Sequence, residues 1–306
     1  MVSIRTRYVI SALCCLALLA AVAPAAAQDA PPDSSAFQPN GIVALLTDYG
    51  ADSLYVGMLR GAIATKQTDV RAVDLTHSVP AYDILTGAFM LAEGCSAFPE
   101  GTVFCVVVDP GVGTDRRVLV LRTRKNQLFV APDNGLLTVV AQRDGVADAR
   151  EGVNRDLWAD AESHTFHGRD IFGPLAAALA AGAPIASVGP DLPDFIRFEI
   201  PQARIRDDAI EGVVLRSDPY GNLVTNIPAT LLADADIRPD ARLRITLGEE
   251  TFEAPFKTTY SDVPAGERLA LVQSAGFLEL AVNLGSLAAE TRADAKTPVA
   301  LSLIRP

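Results

Sequence analysis

Two uninterrupted apolar runs, residues 42–46 (IVALL) and 103–108 (VFCVVV), constrain this chain more than any other feature. A strand buried on both faces reads as a continuous hydrophobic stretch, because neither set of alternating side chains meets water. The first run breaks at Thr47-Asp48-Tyr49-Gly50, after which Asp52 or Ser53 can cap a helix running to Lys66. A strand over 70–75 and a helix over 82–97 follow, with Leu85, Ala88, Phe89 and Ala92 spaced to share one helix face. After the 103–108 strand, residues 118–122 and 128–131 read as a hairpin around Lys125-Asn126. Helices over 134–142 and 170–181 complete the series; Pro174 falls in the first turn of the second and Gly182 stops it. This succession predicts a layered α/β domain with a mainly parallel sheet.

Beyond about Pro201 the long helical patterns vanish. Short strands at 212–216, 223–227, 242–247, 269–273, 277–282 and 299–304, punctuated by Gly, Pro and Asn, predict a small all-β barrel or sandwich. The expected organisation is an α/β domain over 41–195 and an all-β domain over 206–306. Ahead of them, Arg5 and Arg7, an apolar run over 10–22 and the small residues Ala25, Ala26 and Ala27 form a secretory-signal pattern ending at residue 27. That run is shorter than the ~20 residues a membrane span needs, so cleavage before Gln28 and no membrane attachment afterwards are expected. Leu13 and Cys14 precede Cys14 and Cys15, and neither is the small residue expected before a lipid-modified cysteine. Residues 28–40 read as a flexible tether.

Charge narrows the function classes. The 306 residues carry a formal net charge of -11, which argues against nucleic acid as a partner, since a phosphate binder needs a basic face. Cys95 and Cys105 remain after cleavage; export permits a disulfide, and two buried thiols are the equal alternative. Two cysteines and three histidines show no metal-ligand spacing.

Ligands of parallel α/β sheets gather at the carboxyl ends of the strands. Those ends supply Asp48, then Asp74, Thr76 and His77, then Asp109-Pro110-Gly111-Val112-Gly113-Thr114 with Arg116 and Arg117, then Asp133. Further along, His167-Gly168-Arg169-Asp170 precedes a helix. Asp133 and Asp170 fit turn or cap roles, Arg117 can pair with a surface carboxylate, and His77 can satisfy its own turn. Dinucleotide, phosphate-loop and serine-hydrolase signatures are absent. From spacing alone, the chain is an α/β enzyme with an Asp, Arg and His site and an open reaction.

The motifs LLTDYG (45–50), YVGMLRG (55–61), VDLTHSV (73–79), FPEGTVFCVVVDPGVGTDRR (98–117), APDNGLL (131–137), TFHGRDIFGPLAA (165–177), SDPYGNLVTNI (217–227) and SAGFLELAVNLGS (274–286) run in order across the chain. Together they resemble the S-adenosyl-L-methionine hydroxide adenosyltransferases, the S-adenosylmethionine hydrolases related to the fluorinating and chlorinating enzymes. The resemblance implies an N-terminal α/β domain joined to a C-terminal β-barrel. It also implies a homotrimer with substrate bound between subunits. It points to Asp109, Arg116 and His167 as the water-activating set, a pattern from which the halogenating relatives depart. It places Asp48 on the ribose hydroxyls, Asp218 and Asn222 on the methionine part, and Tyr55 on the pocket wall. Ser274, Glu279 and the backbone around Val282 and Asn283 would cradle the amino acid and adenine, although Ala275 follows Ser274 where family members vary.

The implied reaction is attack of water on the ribose C5′, releasing adenosine and methionine. The leaving sulfur starts cationic and departs neutral, so no general acid and no metal or redox cofactor is required. Water is a weak nucleophile that must be oriented and relieved of a proton, which suits a carboxylate, an imidazole and a guanidinium. Two rivals are a halide adenosyltransferase and an exported protein that binds S-adenosylmethionine or adenosine without turnover.

Overall fold

The computed structural model describes residues 37–160 and 163–305. The N-terminal part holds, in order, β1 (Ile42–Thr47), α1 (Leu54–Lys66), β2 (Arg71–Thr76), α2 (Ile84–Cys95), β3 (Val103–Val107), β4 (Val118–Thr123), β5 (Leu128–Pro132), α3 (Thr138–Asp144), β6 (Val146–Glu151) and α4 (Gly173–Ala180). One six-stranded sheet runs β2-β1-β3-β5-β4-β6. Its β1–β2, β1–β3 and β3–β5 pairs are parallel, whereas β4 pairs antiparallel with both β5 and β6.

The sheet explains the apolar runs residue by residue. Ala44, Leu46, Phe104, Val106 and Val108 pack with Ala88, Leu91 and Ala92 of α2 and Val140 of α3. Their neighbours Val43, Leu45, Val103, Cys105 and Val107 point the other way, onto Leu59 and Ile63 of α1 and Leu175 and Leu179 of α4. Each buried aliphatic side chain contributes about 1.5–3 kcal/mol, and both faces of β1 and β3 are filled. The two thiols are separated by this arrangement: Cys95 belongs to the first layer and Cys105 to the second. The sheet lies between them, and both are free and buried. Burial pushes the Cys105 thiol up to about 12.

Some local expectations hold, and others are corrected. Ser53 is the cap of α1, accepting from the Tyr55 amide. Asp83 caps α2, so Tyr82 stays outside the helix in the left-handed region, at φ 66°. The buried face of α2 is Ala88, Leu91, Ala92 and Cys95, while Leu85 and Phe89 are half-buried. Residues 134–137 are not helical: the Asn134 amide donates to Val108 O at 2.9 Å and accepts from Leu136 N, a local alternative to the helix ladder. A π-turn, Gly168–Phe172, leads into α4, and Gly182 ends that helix at φ 103°. Strand β6 went unpredicted because its residues, VADARE, are all half-buried and show no apolar run.

The C-terminal part contains β7 (Arg204–Arg206), β8 (Ala209–Ser217), β9 (Leu223–Pro228), α5 (Ala229–Asp234), β10 (Arg242–Leu247), β11 (Glu250–Pro255), β12 (Arg268–Val272), β13 (Phe277–Val282), α6 (Leu287–Thr291) and β14 (Pro298–Leu303). The antiparallel order is β11-β10-β14-β8-β9-β13-β12, with β7 beside β8. The two ends of this sheet meet where Lys257 N donates to Ala270 O at 2.8 Å, which nearly closes a barrel around Ile210, Leu243, Ile245, Leu278 and Leu280. Strand β7 was missed because it is three residues long and exposed, and β11 because its alternation of Glu and Thr with Phe and Ala shows no apolar run.

The expected leader, residues 1–27, and most of the expected tether lie outside the described residues. The tether's last residues are part of the fold: Phe37 packs against the α1–α4 core, and Asn40 donates to Glu100 O and Thr102 Oγ1, both at 2.9 Å.

Two buried carboxylates make the fold acid-sensitive. Burial alone would raise the carboxyls of Asp144 and Asp170. Hydrogen bonds from Arg143 and Lys125 to the first, and from Arg169 and Ser163 to the second, outweigh it and hold both below the usual carboxylate range. The unfolded chain therefore binds protons at a higher pH than the native one. Their stabilisation is complete above the unfolded value of about 4 and is lost as pH falls through the lower native values. Urea midpoints are expected to drop between pH 5 and pH 2.5, and Asp144→Asn should flatten that slope; a midpoint that rises on acidification contradicts the assignment.

Candidate active site

The carboxyl ends of β1 and β3, adjacent and parallel, place Asp48 and Asp109 side by side at one sheet edge. The chain then turns tightly through 109–116, where Thr114 Oγ1 donates to Gly111 O at 2.7 Å. Gly113, at φ 79°, lets this loop approach the 163–167 segment so closely that a Cβ there would lie 2.6 Å from His164 O. That contact brings Arg116 to His167.

The three expected catalytic side chains meet. Arg116 Nε lies 3.1 Å from both oxygens of Asp109, and Nη2 donates to Asp109 Oδ2 at 2.7 Å. The same Nη2 lies 2.6 Å from His167 Nδ1. A guanidinium only donates, so Nδ1 must accept, and the neutral imidazole carries its proton on Nε2. The side chains of Arg116 and Asp109 are only 9% and 5% exposed, so their attraction is little screened. The Phe172 ring lies 4.8 Å from the guanidinium carbon. The three bonds to Arg116 leave one of the roughly four lone-pair directions of a carboxylate unused on Asp109.

A cleft of about 570 Å³ opens over this cluster, with Asp109 and His167 on its wall and Arg116 behind them. Asp48, Tyr55 and Tyr82 line the same cleft. Asp48 Oδ2 accepts from the Tyr82 amide at 2.9 Å, and Oδ1 takes no bond from any described residue. Tyr49, Tyr55 and Phe166 pack edge to face with ring centroids 5.1–5.9 Å apart. Burial, then the nearby acidic groups, keeps the Tyr49 phenol protonated well beyond its ordinary range. Tyr82 and Phe166 were not singled out from sequence; the signal available was Tyr82's place in the loop after a parallel strand.

The residues read as turn or cap formers bond largely beyond their own turns. His77 Nδ1 is 2.8 Å from Thr47 Oγ1, and its ring pKa is lowered by burial and by Arg60. Asp133 accepts from Arg117 Nε at 2.8 Å and Ile196 N at 2.7 Å. Asp170 accepts from Ser163 N at 2.8 Å.

The barrel residues occupy a second cleft, of about 390 Å³, lined among others by Asp218, Ser274, Glu279, Tyr260 and Arg216. Tyr260 donates its hydroxyl to Glu279 Oε1 at 2.6 Å. Burial pushes the Glu279 carboxyl up, as do Asp218 and Glu93, against the Tyr260 bond and Arg216. Asp218 also organises its loop, accepting from Tyr220 N and Asn222 N at 2.8 and 2.9 Å. Asn222, and Val282 and Asn283 whose backbone was expected near the substrate, do not line this cleft. Asn222 is buried with its amide on Asp218, Val282 packs in the barrel core, and Asn283 donates to Val263 O. The two clefts share no lining residue, so within one chain the Asp109 cluster and the barrel set face different openings.

Fold and site define an α/β-plus-barrel protein with an Asp–Arg–His cluster at the sheet edge. Residues 43–189 match the SAM hydroxide adenosyltransferase N-terminal domain and residues 212–300 the C-terminal domain. The chain belongs to the SAM hydroxide adenosyltransferase family. It is 39% identical over 254 residues to the (R)-S-adenosyl-L-methionine hydrolase of Salinispora tropica, covering 82% of this chain and 93% of that one. The Thermus thermophilus protein of the same name is 35% identical, over 80% of this chain and 92% of its own length. A fluorinase from Nocardia brasiliensis is 33% identical, over 81% and 92%. Among solved structures, a conserved protein from Thermotoga maritima superposes with a TM-score of 0.82 at 38% identity, over 85% of this chain and 99% of that one.

Proposed function

We propose that this protein hydrolyses S-adenosyl-L-methionine to adenosine and L-methionine. The carrying observation is one guanidinium nitrogen, Arg116 Nη2, bonded to both Asp109 Oδ2 and His167 Nδ1. Water rests against the unused lone pair of Asp109 and gives it a proton as its oxygen bonds to C5′. The C5′–S bond breaks with its electron pair going to sulfur, and the proton passes on to solvent. The positive charge of Arg116 stabilises hydroxide character on the attacking oxygen in a partly dry cleft. Because Arg116 occupies Nδ1, His167 orients the water through Nε2–H and does not take up its proton. Asp48 Oδ1 receives a ribose hydroxyl.

In this reading the barrel cleft of one copy completes the Asp109 cleft of the next, in a homotrimer. Asp218, Ser274 and Glu279 then hold the amino-acid end of the substrate, while Asn222, Val282 and Asn283 shape the loops around it. Residues 1–27 act as a cleaved leader that takes the enzyme to the periplasm or beyond.

Incubation with S-adenosylmethionine in ¹⁸O-water is expected to yield adenosine labelled at its 5′ oxygen, one methionine and one proton. Tight binding without adenosine would replace the hydrolase with a binder. Formation of 5′-halo product in chloride or fluoride would make water the secondary nucleophile. Light scattering tests the trimer, and the first residue of the exported protein, expected to be Gln28, tests the leader.

A further inference from the structure

The barrel cleft contains a donor pair that none of the roles above uses. Strand β8 carries a bulge: Val214 pairs with Thr225 and Arg216 with Val224, leaving Leu215 as the extra residue. A bulge re-aims the side chains beside it. Here Arg216 reaches α2, where Nη2 donates to Glu93 Oε2 at 2.7 Å. Nε and Nη1 take no partner among the described residues. Arg216 is the one cation among the residues lining the barrel cleft, which also presents the carboxylates of Glu93, Asp218 and Glu279.

Gln273 sits on the same wall. Its Oε1 accepts from Ala275 N at 2.5 Å, which fixes the orientation of the amide. Nε2 is consequently the remaining donor, and it is buried with no partner. Both side chains also line an adjoining cavity of about 420 Å³ at the seam between α2 and the barrel. An unsatisfied buried amide beside a guanidinium with unused N–H groups is a receptor for an anionic acceptor. The carboxylates of Asp218 and Glu279, which line the same cleft, suit a cation. Opposite charges set within one cleft match an amino-acid zwitterion.

We propose that Arg216 and Gln273 recognise the α-carboxylate of the substrate's methionine portion, with its ammonium toward Asp218 and Glu279. This rests on the reading that the barrel cleft receives the amino-acid end of S-adenosylmethionine. Arg216 and Gln273 are then specificity residues that discriminate substrates by one functional group.

The test compares S-adenosylmethionine with its decarboxylated analogue, which keeps the sulfonium and the ammonium. For the full-length protein, Arg216→Met is expected to raise KM for S-adenosylmethionine by about 30-fold with kcat within about threefold, the scale of a charge-assisted hydrogen bond. KM for the decarboxylated analogue should stay within about twofold. Gln273→Met, which leaves the Arg216–Glu93 pair intact, should raise KM for S-adenosylmethionine alone by about fivefold and guards against misfolding of the arginine variant. Equal changes for both substrates, or no change for either, overturn the proposal. Wild-type protein that releases no adenosine from S-adenosylmethionine overturns the hydrolase reading itself, and calorimetry with the same two ligands then still judges the carboxylate site.

Discussion

Replacing Arg116 with methionine is expected to lower kcat for adenosine release by about 10²–10³-fold, the scale of removing one preorganised electrostatic donor. KM should change far less, because the guanidinium stands behind the cleft wall and acts through Asp109 and His167. The substitution also frees His167 Nδ1 and leaves Asp109, whose side chain is 5% exposed, without its bidentate partner. Arg116→Lys restores the charge but not the planar fork, and is expected to recover only part of the loss. Added guanidinium ion is expected to rescue Arg116→Ala and leave wild type unaffected, a result that a merely structural arginine would not give. Retention of full kcat in Arg116→Met would remove the physical basis for water activation at this site.

The next residue has the opposite profile. Arg117→Met is expected to destabilise the fold by about 3–5 kcal/mol, because it strands a buried carboxylate. Asp133 is 1% exposed and receives Arg117 Nε at 2.8 Å and Nη2 at 2.6 Å; its one other donor among the described residues is Ile196 N at 2.7 Å. The pair ties the end of β5 to the chain that leaves for the barrel. For a protein of this size the loss corresponds to a melting temperature lower by roughly 6–20 °C. Arg117 and Asp133 do not line either cleft, so kcat measured well below the new transition should be preserved. Asp133→Asn should cost less than Arg117→Met, since a neutral amide can remain buried with fewer partners. A larger loss of kcat than of stability in Arg117→Met would place it in the site after all.

These neighbouring arginines mark where sequence reasoning stops. Both stand in one motif, TDRR, and only the fold sends Arg116 to Asp109 and His167 while Arg117 turns to Asp133. The family motifs identified Asp109, Arg116 and His167 as a set, and Asp48 and Tyr55 share their cleft. In the barrel, the same reasoning named Asn222 and the backbone around Val282 and Asn283, and none of these residues lines the barrel cleft of a single chain. It passed over Arg216 because a lone arginine in a strand carries no signal; its reach depends on a bulge that a strand's apolar pattern does not encode.

By itself the sequence determined the layering. Uninterrupted runs such as 103–108 admit only a strand covered on both faces, because burial energy is a property of each side chain and is written position by position. Contacts across chain separations as large as the 123 residues between Glu93 and Arg216 were decided by the tertiary structure. So were the separation of Cys95 from Cys105 by the sheet, the left-handed turn at Tyr82 and the division of the site between two clefts. Those outcomes depend on angles and distances between elements, and such geometry is a property of the packed whole.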